Sequence, residues 1–230
     1  MTGRRGIPPG AALRVVGDVH GDARAFAHAV ATERFVVQLG DLADGGSDSA
    51  EVLRLMFARL DAGSGLFLLG NHDAKLARAL AGRQVRIDAA LADTIAQLDP
   101  TLAARAAAEI AQAPAWLLHG RCLFVHGGFH PDMLTEAPPA LPGKVTGPLA
   151  RALYGETTGR IQPDGYPERS LRWVDRIPPG LTVYCGHDRR SADGRPYVQR
   201  GAAGGTAVFL DTGAGKGGHL SWIDLPEPAP

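Results

Sequence analysis

Cysteine is scarce in this sequence. The 230 residues contain only two, Cys122 and Cys185, and each lies inside an apolar run. Two isolated thiols do not make the dense disulfide framework of a small secreted domain. We therefore expect both to be reduced core residues of a cytoplasmic protein.

Long apolar runs are absent too, and none approaches the ~20 residues that span a bilayer. Residues 1–10 contain two arginines but no apolar segment of a signal peptide, so we expect a flexible lead-in there and a proline-rich tail at 226–230. Hydrophobic residues make up 45% of the chain, enough to bury a sizeable core. We expect one domain over residues 11–225 and no membrane partner.

Neither sign of charge is in excess, because 24 Lys and Arg balance 24 Asp and Glu. Aromatic residues are only 6% of the chain, and they do not alternate with basic residues. This composition disfavours extended binding to nucleic acid, although it does not exclude an enzyme that grips a terminal phosphate. The Gly-x-x-x-x-Gly-Lys-Ser/Thr motif of P-loop proteins is also missing from the sequence.

What the sequence does contain is a recurring pattern: a short apolar run, then a glycine or a polar residue that bears a ligand atom. The first example is Val15-Val16-Gly17-Asp18-Val19-His20-Gly21, and similar turns follow apolar runs later in the chain. Helical periodicity between the runs predicts an α/β fold. Ligands bind at the carboxyl ends of strands in such sheets, so the turns predict one shared site. The alanine-rich stretch at about 74–113 is interpreted as a helical insertion, and 130–147 as an irregular loop.

Six residues in these turns are competent metal ligands: Asp18, His20, Asp41, Asn71, His126 and His187. This mixed oxygen and nitrogen set suits transition metals better than Ca²⁺. The six residues include no cysteine, which argues against a structural zinc site. Six ligands are too many for one tetrahedral ion but suit two ions that share a carboxylate. Such ions, about 3.5–4 Å apart, can clamp a phosphoryl ester and activate water. We expect two divalent ions, Mn²⁺ first, with Ni²⁺, Fe or Zn²⁺ as alternatives.

Five motifs together resemble the successive signatures of calcineurin-like metallophosphoesterases: Gly17-Asp18-Val19-His20-Gly21, Gly40-Asp41-Leu42-Ala43-Asp44, Gly70-Asn71-His72-Asp73, Val125-His126-Gly127-Gly128 and Gly186-His187. The Asn-His-Asp block resembles the serine/threonine phosphoprotein phosphatase branch. The segment Leu153-Tyr154-Gly155-Glu156-Thr157-Thr158-Gly159 is similar to the phosphatase module of bacterial polynucleotide kinase-phosphatase. The resemblance implies a sandwich of two mixed β-sheets flanked by helices.

The resemblance also implies roles for the residues. The first ion would be held by Asp18, His20 and Asp41, and the second by Asp41 as the bridge with Asn71, His126 and His187. A hydroxide between the ions would attack phosphorus without a covalent phosphoenzyme. His72 would be the general acid, kept protonated by Asp44. Asp211 would help to position the metal ligands without binding metal itself. For Asp44 the less favoured alternative is a turn or capping carboxylate, and for Asp211 a turn former is an equal alternative.

Two departures from the resembled branch affect phosphate binding. The branch has an arginine directly after the second carboxylate of the Gly-Asp loop, and this chain has Gly45. Our hypothesis is that Arg189 or Arg190 supplies the missing charge, and the alternative is a solvated pair. Arg189 also stands where many metallophosphoesterases have the second histidine of Gly-His-x-His, which would leave the first ion three protein ligands.

The sequence therefore predicts an enzyme, a metal-dependent hydrolase of phosphomonoesters, with phosphodiesters as secondary candidate substrates. Its expected substrates are phosphoproteins, nucleotides or RNA ends. The alternative within the enzyme class is a dinucleoside tetraphosphate hydrolase. The alternative from another class is a catalytically silent metal-binding scaffold, which is disfavoured because all six ligands and His72 are present.

Overall fold

The structure is a computed structural model that describes residues 6–139, 145, 147–163, 165–191 and 193–226. Parts of three predicted segments lie outside these ranges: residues 1–5 of the lead-in, 140–144 and 146 of the irregular loop, and 227–230 of the tail.

The described ranges form eleven strands and six α-helices. The strands are β1 (Leu13–Val16), β2 (Phe35–Gln38), β3 (Gly65–Phe67), β4 (Trp116–His119), β5 (Cys122–Val125), β6 (Glu156–Ile161), β7 (Pro167–Ser170), β8 (Thr182–Cys185), β9 (Tyr197–Arg200), β10 (Thr206–Phe209) and β11 (Trp222–Leu225). The helices are α1 (Ala23–Val30), α2 (Ser49–Asp61), α3 (Asn71–Leu80), α4 (Ala89–Gln97), α5 (Pro100–Gln112) and α6 (Gly147–Tyr154).

Nine of these strands build two mixed sheets, as expected. One has the order β11-β1-β2-β3, with β1, β2 and β3 parallel and β11 antiparallel to β1. The other has the order β4-β5-β8-β10-β9, with a parallel centre of β5, β8 and β10 between two antiparallel edges. The carboxyl ends of the central strands of each sheet are followed by the predicted ligand turns, so this topology positions the site.

Alternation along the strands explains the layers. Val15 and Val37 share a buried cluster with Phe124 and Val208 of the other sheet, whereas Val16 belongs to the cluster that contains the helix residues. Successive side chains of a strand point to opposite faces, so the central strands are covered on both sides. Complete burial of one such side chain stabilises the fold by about 1.5–3 kcal/mol.

Aspartates start four of the helices. The side chains of Asp22, Asp48, Asp88 and Asp99 each accept a hydrogen bond from a backbone N–H in the first turn of the helix that follows. Such a cap contributes about 1 kcal/mol. The helical stretch is interrupted between α4 and α5, where Asp99 caps α5 and Pro100 is its first residue. The longest of the described helices have 13 residues, and none meets the length and apolarity needed to span a bilayer.

Several elements differ from the prediction. Residues 156–159, for which no strand is predicted, begin β6, and β6 pairs with β7 in a separate hairpin. The residues of β6 are mostly exposed, so the hairpin lacks the apolar alternation that marks a half-buried strand. The third helix starts at Asn71 rather than Ala74, because the polar turn residues form its first turn. That difference places Asn71 and His72 on a helix.

Candidate metal centre and active site

The six predicted ligands lie together at the ends of strands from both sheets. Asp41 is central: its Oδ2 lies 3.7 Å from Nε2 of His20 and 3.3 Å from Nε2 of His126. Oδ2 of Asp18 lies 3.8 Å from the same nitrogen of His20. Oδ1 of Asn71 lies 3.1 Å from Nε2 of His126.

His187 completes this cluster from the second sheet. Its ring lies 4.9 Å from the ring of His126, measured between centroids. Its backbone N–H donates to the carboxylate of Asp18, 3.1 Å from each oxygen. The second sheet is thereby joined to the turn after β1 in the first sheet.

Two groups of side chains have the geometry to hold an ion, and they share one carboxylate. The first group is His20, Asp41 and His72, and the second is Asp41, His126 and His187; within each, the ligand atoms lie within 4.8 Å of one another. A carboxylate common to two adjacent groups is what a pair of bridged ions requires. The donor set fits two divalent transition metals.

The hydrogen bonds of the histidines leave nitrogen lone pairs for a metal. Nδ1 of His20 lies 2.7 Å from the carbonyl oxygen of Asp44, and Nδ1 of His126 lies 3.0 Å from that of Leu39. A carbonyl only accepts, so Nδ1 carries the proton in each ring and Nε2 faces Asp41. Nε2 of His187 is buried and has no hydrogen-bond partner among the described residues. A bound ion would satisfy this nitrogen.

The pKa shifts of the clustered side chains also agree with a site that binds cations. Burial raises the pKa of Asp18 well above its usual range, and the negative charge of Asp211 adds to the effect. Burial also opposes ionisation of Asp41, but neighbouring histidines, led by His126, hold its pKa well below the usual range. Burial lowers the pKa of His126, yet the charges of Asp41 and Asp18 prevail and raise it to about 9. A bound cation would take over this neutralising role from the proton.

Left-handed backbone is concentrated in the site. Among the described residues, the non-glycine positions with positive φ are His20 at 48°, Asp41 at 59°, Asp44 at 68° and His187 at 61°. Each such residue costs roughly 1–2 kcal/mol relative to a right-handed conformation. Conformations of this kind persist where the surrounding structure holds them, and they cluster at functional sites.

His72 and Asp44 form a pair beside the cluster. Nδ1 of His72 lies 3.0 Å from Oδ2 of Asp44, whose side chain is buried. Burial lowers the pKa of His72, but the hydrogen bond to Asp44 and the charge of Asp41 outweigh it and raise the pKa. An accessible imidazole that keeps its proton can act as a general acid. The alternative interpretation of Asp44 as only a capping residue does not account for this pair.

Asp73 has a role that sequence reasoning missed. Its fully buried carboxylate accepts backbone N–H groups from Asp41 at 2.7 Å, Leu42 at 3.0 Å and Gly70 at 3.1 Å. Burial and the nearby charge of Asp41 raise its pKa to about 6. Asp73 thus ties the turn after β2 to the start of α3. Its place at the third position of that helix, a usual capping position, is the signal that could have indicated it.

Two cations near the site were also missed. Nζ of Lys216 lies 2.9 Å from Nε2 of His20. Arg169 on β7 is half-buried and donates to the carbonyl of Tyr154, and its charge acts on His187, whose pKa burial and His126 already lower. Lys216 stands among glycines, and Arg169 lies in the unpredicted hairpin, so no periodicity marked either residue.

The predicted arginines lie on the surface next to His187. Nη2 of Arg190 lies 2.6 Å from Oδ2 of Asp188, and the guanidinium of Arg189 packs against Gly213. Both arginines are exposed, and phosphate binding by either stays a prediction. Oδ1 of Asp211 accepts a hydrogen bond from the N–H of Gly213 at 2.9 Å, so this carboxylate stabilises a turn. Its negative charge also acts on Asp18 in the ligand cluster.

A cavity of about 830 Å³ opens beside the cluster at Asn71 and runs along α3. Its walls contain four basic residues: Lys75, Arg78, Arg83 and Arg86. Apolar and aromatic side chains, among them Val85, Leu149 and Tyr154, complete the lining. Positive charge next to apolar surface suits a ligand that carries both phosphates and a flat ring.

A two-sheet sandwich with a carboxylate-bridged pair of metal-competent groups and an adjacent His-Asp pair defines a metal-dependent phosphoester hydrolase. The chain belongs to the calcineurin-like phosphoesterase family, whose model matches residues 13–188. The resemblance of the sequence motifs to this family is thereby confirmed.

Individual proteins that are similar to this chain are also named as phosphatases. The chain is 27% identical over 238 aligned residues to bis(5'-nucleosyl)-tetraphosphatase PrpE (asymmetrical) of Geobacillus thermodenitrificans, covering 94% of this chain and 91% of the relative. A solved structure of a candidate diadenosine tetraphosphatase is 20% identical with a TM-score of 0.63, covering 96% of each chain. A protein serine/threonine phosphatase from Saccharomyces cerevisiae is 16% identical with a TM-score of 0.62, covering 96% of this chain and 81% of that one.

Proposed function

We propose that this protein hydrolyses phosphomonoesters with two divalent ions, Mn²⁺ first among the candidates. One ion would be held by Asp18, His20 and Asp41, and the other by Asp41, Asn71, His126 and His187. The observation that carries the proposal is the sharing of Asp41 between two adjacent ligand groups. The first of these groups contains His72 instead of Asp18; Asp18 is assigned to the ion because its Oδ2 lies 3.8 Å from Nε2 of His20, and His72 is assigned to the acid because it pairs with Asp44. When bound, the ions would neutralise phosphate oxygens and lower the pKa of a water molecule.

The protein's own residues would handle the proton of the leaving group. His72 would donate it to the departing oxygen, and Asp44 would fix the ring by accepting from Nδ1. Asp73 would hold the backbone of the turn that carries Asp41. Cys122 and Cys185 are both free thiols, which suits the cytoplasmic location that we propose for the reaction.

A second candidate function is the asymmetrical hydrolysis of a dinucleoside tetraphosphate. Two observations favour it: the relatives named as bis(5'-nucleosyl)-tetraphosphatases, and the basic cavity that begins at Asn71. A polyphosphate running from the cluster into this cavity would meet Lys75, Arg78, Arg83 and Arg86. A small monoester such as p-nitrophenyl phosphate would not reach them.

The test compares substrates in one metal series. p-Nitrophenyl phosphate, bis-p-nitrophenyl phosphate, a phosphopeptide, a phosphorylated RNA end and diadenosine tetraphosphate would be assayed with Mn²⁺, Ni²⁺, Zn²⁺ and Mg²⁺. Metal-dependent turnover of the monoesters supports the first proposal. Turnover of diadenosine tetraphosphate at a much higher kcat/KM supports the second, as does loss of that preference in Arg78→Ala. Arg24→Ala, on an exposed face of α1 outside the cavity, is the matched control.

Silence on every substrate, in a protein that still binds two ions, would contradict both enzyme proposals. It would leave the metal-binding scaffold as the explanation of the site.

A further inference from the structure

We propose that Lys216 is a phosphate-binding residue of this site and supplies the positive charge that position 45 lacks. The inference rests on the proposed phosphoesterase function and names a residue for substrate binding that the ligand motifs do not include. It is carried by the position of the ammonium group, the loop that delivers it, and the space beside Gly45.

The ammonium group lies beside the ligand cluster and near the proposed acid. Nζ of Lys216 is 2.9 Å from Nε2 of His20, and the rings of His20 and His72 are 5.0 Å apart. Lys216 is therefore at the junction of the ligand cluster and the proposed acid. Among the described residues, it forms no ion pair with a carboxylate, so its charge is available to an anion.

A glycine-rich loop fixes Lys216 against the cluster. The loop is closed by hydrogen bonds to the carbonyl of Gly213 from the N–H groups of Lys216, at 3.1 Å, and Gly218, at 2.8 Å. Gly215 has a φ of 65°, and a Cβ there would overlap the carbonyl oxygen of His20. Only glycine permits both this conformation and this approach, so the backbone next to Lys216 packs directly on the turn that carries His20.

Lys216 fills the space beside Gly45. Its Cε lies 3.5 Å from where a Cβ on Gly45 would be, and it is the nearest atom to that position. Gly45 itself has a φ of 129°, which side chains of L-residues rarely adopt. An arginine at position 45 would be strained in this backbone, and a cation reaches the same place from the loop after β10.

The long stem of lysine reconciles this role with a bound ion. An ion on His20 would repel the ammonium group, and the four flexible carbons allow Nζ to turn away from His20 toward the phosphate.

The experiment measures phosphate binding separately from turnover. The metal-loaded protein would be titrated with inorganic phosphate by calorimetry, and KM, kcat and bound metal would be measured in parallel. Lys216→Met removes the charge and keeps much of the stem, and Lys216→Arg keeps the charge. Arg24→Met is the matched control, because it removes an exposed cation of α1 that has no role in the proposed site.

We expect Lys216→Met to weaken phosphate binding and raise KM about tenfold or more, the effect of one charge-assisted hydrogen bond. Bound metal should stay at the wild-type level, Lys216→Arg should keep most of the binding, and Arg24→Met should change little. Unchanged phosphate affinity in Lys216→Met overturns the proposal, as does an effect on bound metal alone. A wild-type protein that binds phosphate through Lys216 but turns over no substrate would contradict the proposed function and not this inference.

Discussion

Asp44 and His72 are joined through a contact of 3.0 Å between Oδ2 and Nδ1, with the carboxylate buried and the imidazole side chain 26% exposed. The buried partner fixes which nitrogen carries the proton, and the exposed ring leaves the other nitrogen for a substrate. The two residues are separated by 28 positions in the chain. They meet because the turn after β2 and the first turn of α3 lie side by side.

Replacement of His72 by alanine should lower kcat by about 10²–10⁴-fold for substrates with a poor leaving group, because such esters need a proton at the departing oxygen. p-Nitrophenyl phosphate has a good leaving group, so its loss should be smaller. Steady-state kinetics with phenyl phosphate and p-nitrophenyl phosphate provide the measurement. His28→Ala, on the exposed side of α1, is the control, and equal losses on both substrates would argue against an acid role.

Asp44→Asn should move the alkaline limb of the pH–rate profile to lower pH. Activity by an acid is lost as pH rises through its pKa, and the hydrogen bond to Asp44 raises the pKa of His72 against the lowering effect of burial. Loss of the carboxylate therefore lowers that pKa. Asparagine tolerates the left-handed backbone of position 44. A profile with an unmoved alkaline limb would show that Asp44 does not act through His72.

Asp73→Asn should destabilise the protein by about 2–3 kcal/mol. A carboxylate accepts all three backbone N–H groups, whereas an amide must point its NH₂ at some of them and leave buried donors unsatisfied. Urea denaturation of the metal-free protein measures the free energy of unfolding. Asp93→Asn, exposed on α4, should change it by less than about 0.5 kcal/mol. Equal stability of the two variants would contradict the role given to Asp73.

Metal loading at pH 7 should release protons. In the absence of metal the pKa of His126 is raised to about 9, with burial opposed by Asp41 and Asp18, so the ring is protonated at pH 7 and must lose its proton to bind an ion. Calorimetry in buffers of different ionisation enthalpy counts these protons. At a pH above 9 the release should fall. Proton release that does not change with pH would be the contrary result.

Chelation of the metal should abolish activity and lower the Tm, since an ion at 100 times its Kd stabilises the folded protein by about 2.7 kcal/mol.

The fold and the ligand turns could be predicted because they depend on local patterns. Apolar runs that end in glycine and a polar residue mark Asp18 and Asp41, and periodicity and Asp caps mark the helices between them. Asp73 was not predicted, because its function lies in three backbone hydrogen bonds across two elements. Lys216 and Arg169 were not predicted, because only tertiary packing brings a glycine loop and an exposed hairpin to the cluster.

The ligand turns belong to different sheets. Asp41 follows β2 of one sheet, whereas His126 and His187 follow β5 and β8 of the other. Under the proposed assignment the second ion cross-links the two sheets, and the separation of the sheets becomes a determinant of metal affinity. Val37 and Phe124, which belong to the apolar cluster shared by the two sheets, would then affect how tightly the protein holds an ion that neither of them touches.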